Sequence, residues 1–147
     1  MNHGLERRRS IGYMTNWAAR LFARAMDRRL KPFGLSTGHL PVLFALADGG
    51  ALTQKALTAL AAIEQPTMAA TLARMERDGL ITRGRDPDDG RSMLVALTPE
   101  ARSRLPAVRA AVDDINADAT RGLDDADREA IFAALARIIS NLAEQAD

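Results

Sequence analysis

Cysteine is absent from the 147 residues. That removes disulfides, thiolate metal sites, cysteine nucleophiles and thiol redox sensing together. Histidine is scarce: there are two, and His3 falls in the charged opening "MNHGLERRRS". There is also no Gly-rich phosphate loop and no HExxH. No set of nucleophile, base and orienter can be assembled, so the chain does not read as an enzyme, and no metal or cofactor is expected. Aromatics are few, with one Trp, one Tyr and four Phe, so the core should be mostly aliphatic. No stretch approaches the ~20 apolar residues of a membrane span. No apolar run follows the charged start, as a secretory signal would need. The expectation is a cytoplasmic protein with no membrane partner.

Hydrophobic residues make up 47% and charged residues 27%, the balance of a soluble globular chain. The length suits one domain with a real core. The net charge of +1 hides an asymmetry. Residues 113–147 hold nine acids and three arginines, a net of −6, which leaves +7 on the first 112 residues. A basic front and an acidic tail suggest that the front alone meets a polyanion.

Apolar spacing predicts helices through most of the chain. Over residues 10–31, Ile11, Met14, Ala18, Leu21, Phe22 and Ala25 share a face. Pro32 and Gly34 should end that helix. Ser36 or Thr37 should cap a second helix running to about Ala47, with Leu40, Leu43, Phe44 and Ala47 inward. Thr53 should cap a short third helix that buries Leu57 and Leu60. After a break at Ile63–Glu64, Pro66 opens a fourth helix with Met68, Leu72 and Met75 inward and Gly79 as its stop. "LITRGR" and "SMLVALT" read as two strands of a hairpin. Thr98-Pro99-Glu100 opens a long helix to about Arg121, marked by Leu105, Val108, Val112 and Ile115, with Pro106 inside it. Asp124 or Asp125 caps the last helix. There Ile131, Leu135, Ile138 and Leu142 recur at i, i+4, i+7 and i+11, and Phe132 and Ile139 add a second row. That much apolar surface on a terminal helix points to a partner subunit.

The segment from Thr53 to Gly79 has the form of a helix-turn-helix, followed at once by a hairpin. Such a unit offers double-stranded DNA a helix for the major groove and a finger for the backbone or minor groove. With the Met68/Leu72/Met75 stripe inward, the fourth helix presents Thr67, Ala70, Thr71 and Arg74, with Gln65 at its amino end. Arg pairs with guanine, Gln pairs with adenine, and Ala or Thr methyls meet thymine's methyl. In the finger "RGRDPDDGRS", Asp86-Pro87 and Asp89-Gly90 are turn formers, and the acids also brace nearby arginines. Arg91 then projects as a probe, with Arg83 and Arg85 behind it near phosphates. A calcium loop would need a twelve-residue alternation of oxygen ligands and a closing glutamate, which this tip lacks. On the first two helices, Tyr13, Trp17, Arg24 and His39 are candidates to hold an aromatic or carboxylate ligand.

The run "LTQKALTALAAIEQPTMAATLARMERDGLITRGRDPDDGRSMLVALTPEA", preceded by "GLSTGHLPVLFAL", resembles the MarR (multiple antibiotic resistance regulator) family over roughly residues 10–145. The resemblance implies a mainly α fold with a small β-hairpin, a winged helix-turn-helix flanked by N- and C-terminal dimerisation helices. Residues 1–147 would form a single such domain, with dimerisation helices over 10–34 and 100–147 and a DNA-binding lobe over 35–98. It further implies a homodimer closed through residues such as Ile11, Ile131, Leu135, Ile138 and Leu142. Such a dimer would act on a palindromic operator, usually as a ligand-released repressor. Two departures stand out: Gly90 replaces a frequent wing arginine, and Ala69 and Ala70 occupy positions that are often polar. The rival reading is a winged-helix module that binds protein and no DNA.

Overall fold

Ser10 opens the first helix, its Oγ accepting the amide of Tyr13 at 3.2 Å. Helix α1 then runs Ile11–Leu30. The computed structural model describes residues 6–145, so His3 lies outside the described residues. A 3-10 turn follows at Lys31–Phe33 and closes on Gly34 at φ 69°, a left-handed conformation open to glycine at no steric cost. A second 3-10 turn, Thr37–His39, leads into α2, Leu40–Leu46. The Thr37 amide and hydroxyl both donate to Asp27 Oδ1, at 2.7 and 2.6 Å, and so tie α1 to the start of α2. Those two bonds hold the Asp27 carboxyl below its ordinary pKa.

Strand β1 (Ala51–Thr53) precedes α3 (Gln54–Ala61) and α4 (Gln65–Arg77). Strands β2 (Ile81–Arg85) and β3 (Met93–Leu97) lead to α5 (Pro99–Ala119) and α6 (Asp125–Ala143). Local chemistry sets these boundaries. Thr53 Oγ1 accepts the Ala56 amide at 3.1 Å, Thr98 Oγ1 that of Ala101 at 3.1 Å, and Asp124 Oδ1 that of Asp127 at 2.8 Å. Each bond satisfies an amide that the first turn of a helix would otherwise leave open.

The sheet has three antiparallel strands in the order β1-β3-β2, one more than the expected hairpin. Leu52 and Arg83 both pair with Val95, on its two sides. The three residues of β1 are too few to show alternation, and its partner lies far along the chain.

Packing divides the chain into two compact units, Met1–Val112 and Asp113–Asp147, with the division inside α5. In the first unit Leu30, Leu46, Leu57, Leu72, Met75 and Val95 are wholly buried. Each such side chain stabilises the fold by roughly 1.5–3 kcal/mol relative to exposure. Two expectations fail here. Phe44 and Leu60 are exposed, at 62% and 67%, while Val42 and Leu46 turn inward on α2. Because α2 has only seven residues, a small error in its phase exchanges inner and outer positions. In α1 only Met26 and Leu30 are buried, and the expected stripe of Ile11, Met14, Leu21 and Phe22 is exposed. In the second unit α6 buries none of its residues. Ile131, Phe132, Leu135, Ile139 and Leu142 are exposed, and Ile138 is half-buried.

Candidate nucleic-acid interface

Helix α3 ends at Ala62, whose φ of 50° turns the chain left-handed without a glycine. Glu64 precedes α4, and Pro66 sits in its first turn, where a missing N–H costs least. Met68, Leu72 and Met75 hold α4 against the lobe. Gln65, Thr67, Ala70 and Arg74 stand exposed on its outer side, as expected. Thr71 does not. It is buried, with 6% exposure, so it cannot reach a base edge. Thr71 lies three residues after Met68 and one before Leu72, inside the apolar arc rather than beside the free face. Arg74 Nη2 lies 3.5 Å from the Thr71 hydroxyl, and Asp78 is bonded by Arg77 at 3.3 Å instead of by Arg74.

The wing tip is built by its acids. Asp86 Oδ1 accepts the Asp88 amide at 2.9 Å. Asp89 accepts the Arg91 amide at 3.0 Å and the Ser92 hydroxyl at 3.1 Å. Both carboxylates therefore serve as backbone braces, the usual work of Asp in turns. They do not brace the arginines: among the described residues, the guanidinium groups of Arg85 and Arg91 have no ion-pair partner, and both residues are exposed. Nor do the described residues contain any cluster of three or more His, Asp or Glu able to hold a metal ion.

Arg83 is placed differently from the expectation of a phosphate neighbour. Its Nε donates to Glu76 Oε2 at 3.0 Å and its Nη1 to Gln54 Oε1 at 3.3 Å, which joins β2 to α4 and α3. Only a quarter of its side chain remains exposed. Gln54 and Glu76 escaped the sequence reading because nothing local marks them. The bonds span 29 and 7 positions, and only the fold brings them together.

On α1 a cleft of about 260 Å³ is lined by Arg7, Tyr13, Trp17, Arg20, Leu21 and Arg24. Tyr13 and Trp17 meet edge to face with centroids 6.4 Å apart. Among the described residues the guanidinium groups of Arg7, Arg20 and Arg24 have no partner. Tyr13, Trp17 and Arg24 are thus brought together, and Arg7 and Arg20 join them. The spacing of residues 13, 17, 20 and 24 at i, i+4, i+7 and i+11 could have revealed Arg20. His39 is not part of the cleft. Its Nδ1 accepts the Ser36 amide at 2.9 Å, closing the cap before α2. Burial first, and the charge of Arg74 second, push its pKa below the ordinary histidine value, against an opposing pull from Asp78.

A helix-turn-helix that buries one helical stripe and is followed at once by a wing carrying exposed arginines is a winged helix-turn-helix, a form suited to binding DNA. The sequence model of the MarR family matches residues 33–92. An uncharacterized HTH-type transcriptional regulator of Bacillus subtilis (strain 168), YwoH, is 32% identical over 122 residues, covering 83% of this chain and 88% of that protein. The chain belongs to the MarR family. Among solved structures, BpsR of Bordetella bronchiseptica, studied for regulation of its DNA binding by 6-hydroxynicotinic acid, is 26% identical. It matches with a TM-score of 0.82 over 90% of this chain and 95% of that one. A putative MarR family regulator of Listeria monocytogenes, complexed with 26mer DNA, shares the fold with a TM-score of 0.86 at 20% identity, covering 93% and 91% of the two chains.

Proposed function

We propose that this regulator acts in the cytoplasm as a homodimer on a palindromic operator, as a repressor released by a small anionic aromatic effector. The observation that carries the dimer is α6: nineteen residues, none buried, with Ile131, Leu135, Ile139 and Leu142 exposed. Burying such a face against a second copy removes a large apolar patch from water. The exposed Ile11, Met14 and Leu21 on α1 offer a further apolar face. Thr67, Ala70, Arg74 and Gln65 are the residues proposed to meet base edges, with Arg85 and Arg91 on the phosphates.

The α1 cleft supports the effector. It combines two aromatic rings with three guanidinium groups that have no partner among the described residues, which suits a ring bearing a carboxylate. A relative whose DNA binding is regulated by 6-hydroxynicotinic acid points to the same chemistry. Trp17 is the only tryptophan, so its fluorescence reports directly on this cleft.

Selection of bound sequences from a random duplex pool tests the central reading. The expected result is an inverted repeat whose half-sites lie about one helical turn, ~10 bp, apart. An unsymmetrical motif rejects the paired heads. A complex that forms no salt-sensitive shift with any duplex favours the protein-binding module instead.

A further inference from the structure

Four polar side chains, Glu76, Arg83, Gln54 and Gln65, form a chain of bonds that links β2, α3 and α4, and its polarity is set at one end. Arg83 is anchored by Glu76 and donates from Nη1 to Gln54 at 3.3 Å. A guanidinium only donates, so Gln54 must turn its Oε1 toward it; the reversed amide would set two donors face to face. The Gln54 Nε2 is thereby directed the other way, where it donates to Gln65 Oε1 at 3.5 Å. The Thr58 hydroxyl also lies 3.5 Å from Gln65 Oε1. Its proton is committed to the Gln54 main-chain carbonyl at 2.7 Å, so toward Gln65 it offers only a lone pair, and the reversed amide that could use it would set the Gln65 Nε2 against the Gln54 Nε2, donor to donor. The Gln65 oxygen therefore faces α3. Its Nε2 has no partner among the described residues, and Gln65 is exposed at the first position of α4.

This arrangement bears on base reading. A glutamine recognises adenine by showing the base both its acceptor and its donor. Here the acceptor is turned inward, and only the donor is left for the groove. Guanine presents two acceptors, O6 and N7, side by side, whereas adenine sets its N6 donor beside N7.

We propose that Arg83 is a positioning residue that acts through Gln54 to present Gln65 as a hydrogen-bond donor, selecting guanine over adenine at the base pair Gln65 meets. The proposal rests on the DNA-reading role of α4 stated above. It also replaces the simpler expectations of a glutamine–adenine pair and a phosphate-bound Arg83.

The experiment is sequence selection from a random duplex pool with the full chain and three variants. Gln65→Ala identifies the column that Gln65 reads, because only that column should flatten. In the unaltered protein that column is expected to favour guanine over adenine by about fivefold, the low end for a base contact. Gln54→Glu still accepts from Arg83 but can no longer donate. Gln65 should then turn its Nε2 inward and its oxygen outward, and the column should shift to cytosine or adenine, which offer amino donors. Arg83→Met frees Gln54, and the guanine preference should fall below about twofold in that column alone. Thermal melting confirms that each variant is folded, and Gln54→Glu stands as the test if Arg83→Met is not.

An adenine column in the unaltered protein overturns the proposal, as does a guanine column that Gln54→Glu leaves in place. So does an Arg83→Met variant that loses affinity evenly across all columns, which would mark Arg83 as a phosphate contact. Failure of Gln65→Ala to flatten any column overturns it too. Failure of the unaltered chain to enrich any sequence is a different result, because it rejects the DNA-reading role itself.

Discussion

Helices α4 and α6 both carry an apolar stripe, and they end in opposite conditions. In α4, thirteen residues long, Met68, Thr71, Leu72 and Met75 are buried; in α6, nineteen residues long, nothing is. The stripe of α4 is covered by residues of the same lobe, so its other face is free to meet a ligand without cost to the fold. The stripe of α6 remains wet. Amphipathic pattern alone therefore says that a helix has an inner face, and burial says whether its own chain supplies the inside. The difference separates a helix whose apolar stripe is covered within one copy from a face that one copy leaves uncovered, where the proposed dimer would place its partner.

The largest expected effect comes from Leu135→Asp. A charge in the middle of the α6 face should yield monomers in sedimentation velocity. Operator affinity should fall by about a hundredfold or more as the linked second head is lost. The melting of the winged lobe should be unchanged. A variant that stays dimeric would remove α6 from the interface and erase the contrast with α4.

Leu72→Ala probes the opposite member of the pair. Its side chain is fully buried, so truncation should lower unfolding free energy by about 2–5 kcal/mol in urea titration. Leu142→Ala, at 60% exposure, should cost an isolated chain less than about 0.5 kcal/mol. Equal losses at the two sites would refute the distinction.

Arg91→Ala tests the free face of the lobe. An exposed guanidinium without a carboxylate partner among the described residues contributes little to folding, so the urea midpoint should not move. The slope of log affinity against log salt should shrink by about one, the signature of one lost phosphate contact. An unchanged slope would mean that the wing tip does not touch the backbone.

The smallest effect concerns His39. Its folded pKa lies below the ordinary value, so the unfolded chain takes up the proton first as pH falls. Stability from neutral His39 is then complete above about pH 6.5 and is lost as pH falls toward the lower folded pKa. Protonation also removes the Nδ1 lone pair that accepts the Ser36 amide. His39→Gln, which keeps an acceptor, should flatten the melting temperature between about pH 7 and pH 5. A parallel decline in both proteins would assign the acid sensitivity elsewhere.

Much of the secondary structure was legible in the sequence, for a local reason. Thr53, Thr98 and Asp124 each cap a helix through an amide three residues on, and such bonds depend only on neighbours in sequence. The stops at Gly34 and Gly79 have φ of 69° and 73°, and so require residues that tolerate the left-handed region. The turn at Asp86–Ser92 is likewise closed by its own side chains. The site was legible in part. Thr67, Ala70 and Arg74 follow from the phase of one helix, but Thr71 sits at the edge of the apolar arc, where only packing decides. Arg83 looked like its neighbours Arg85 and Arg91 in composition, yet strand register places it over Glu76 and Gln54.

From its residues alone this chain determined its helix limits, its turn chemistry, its basic front and its acidic end, because caps, turns and charge act over a few positions or none. The third strand, the inward face of Thr71, the engagement of Arg83 and the gathering of Arg7 with Tyr13, Trp17 and Arg24 were decided by tertiary structure. Each of these requires segments that only the folded backbone brings within hydrogen-bonding or van der Waals reach.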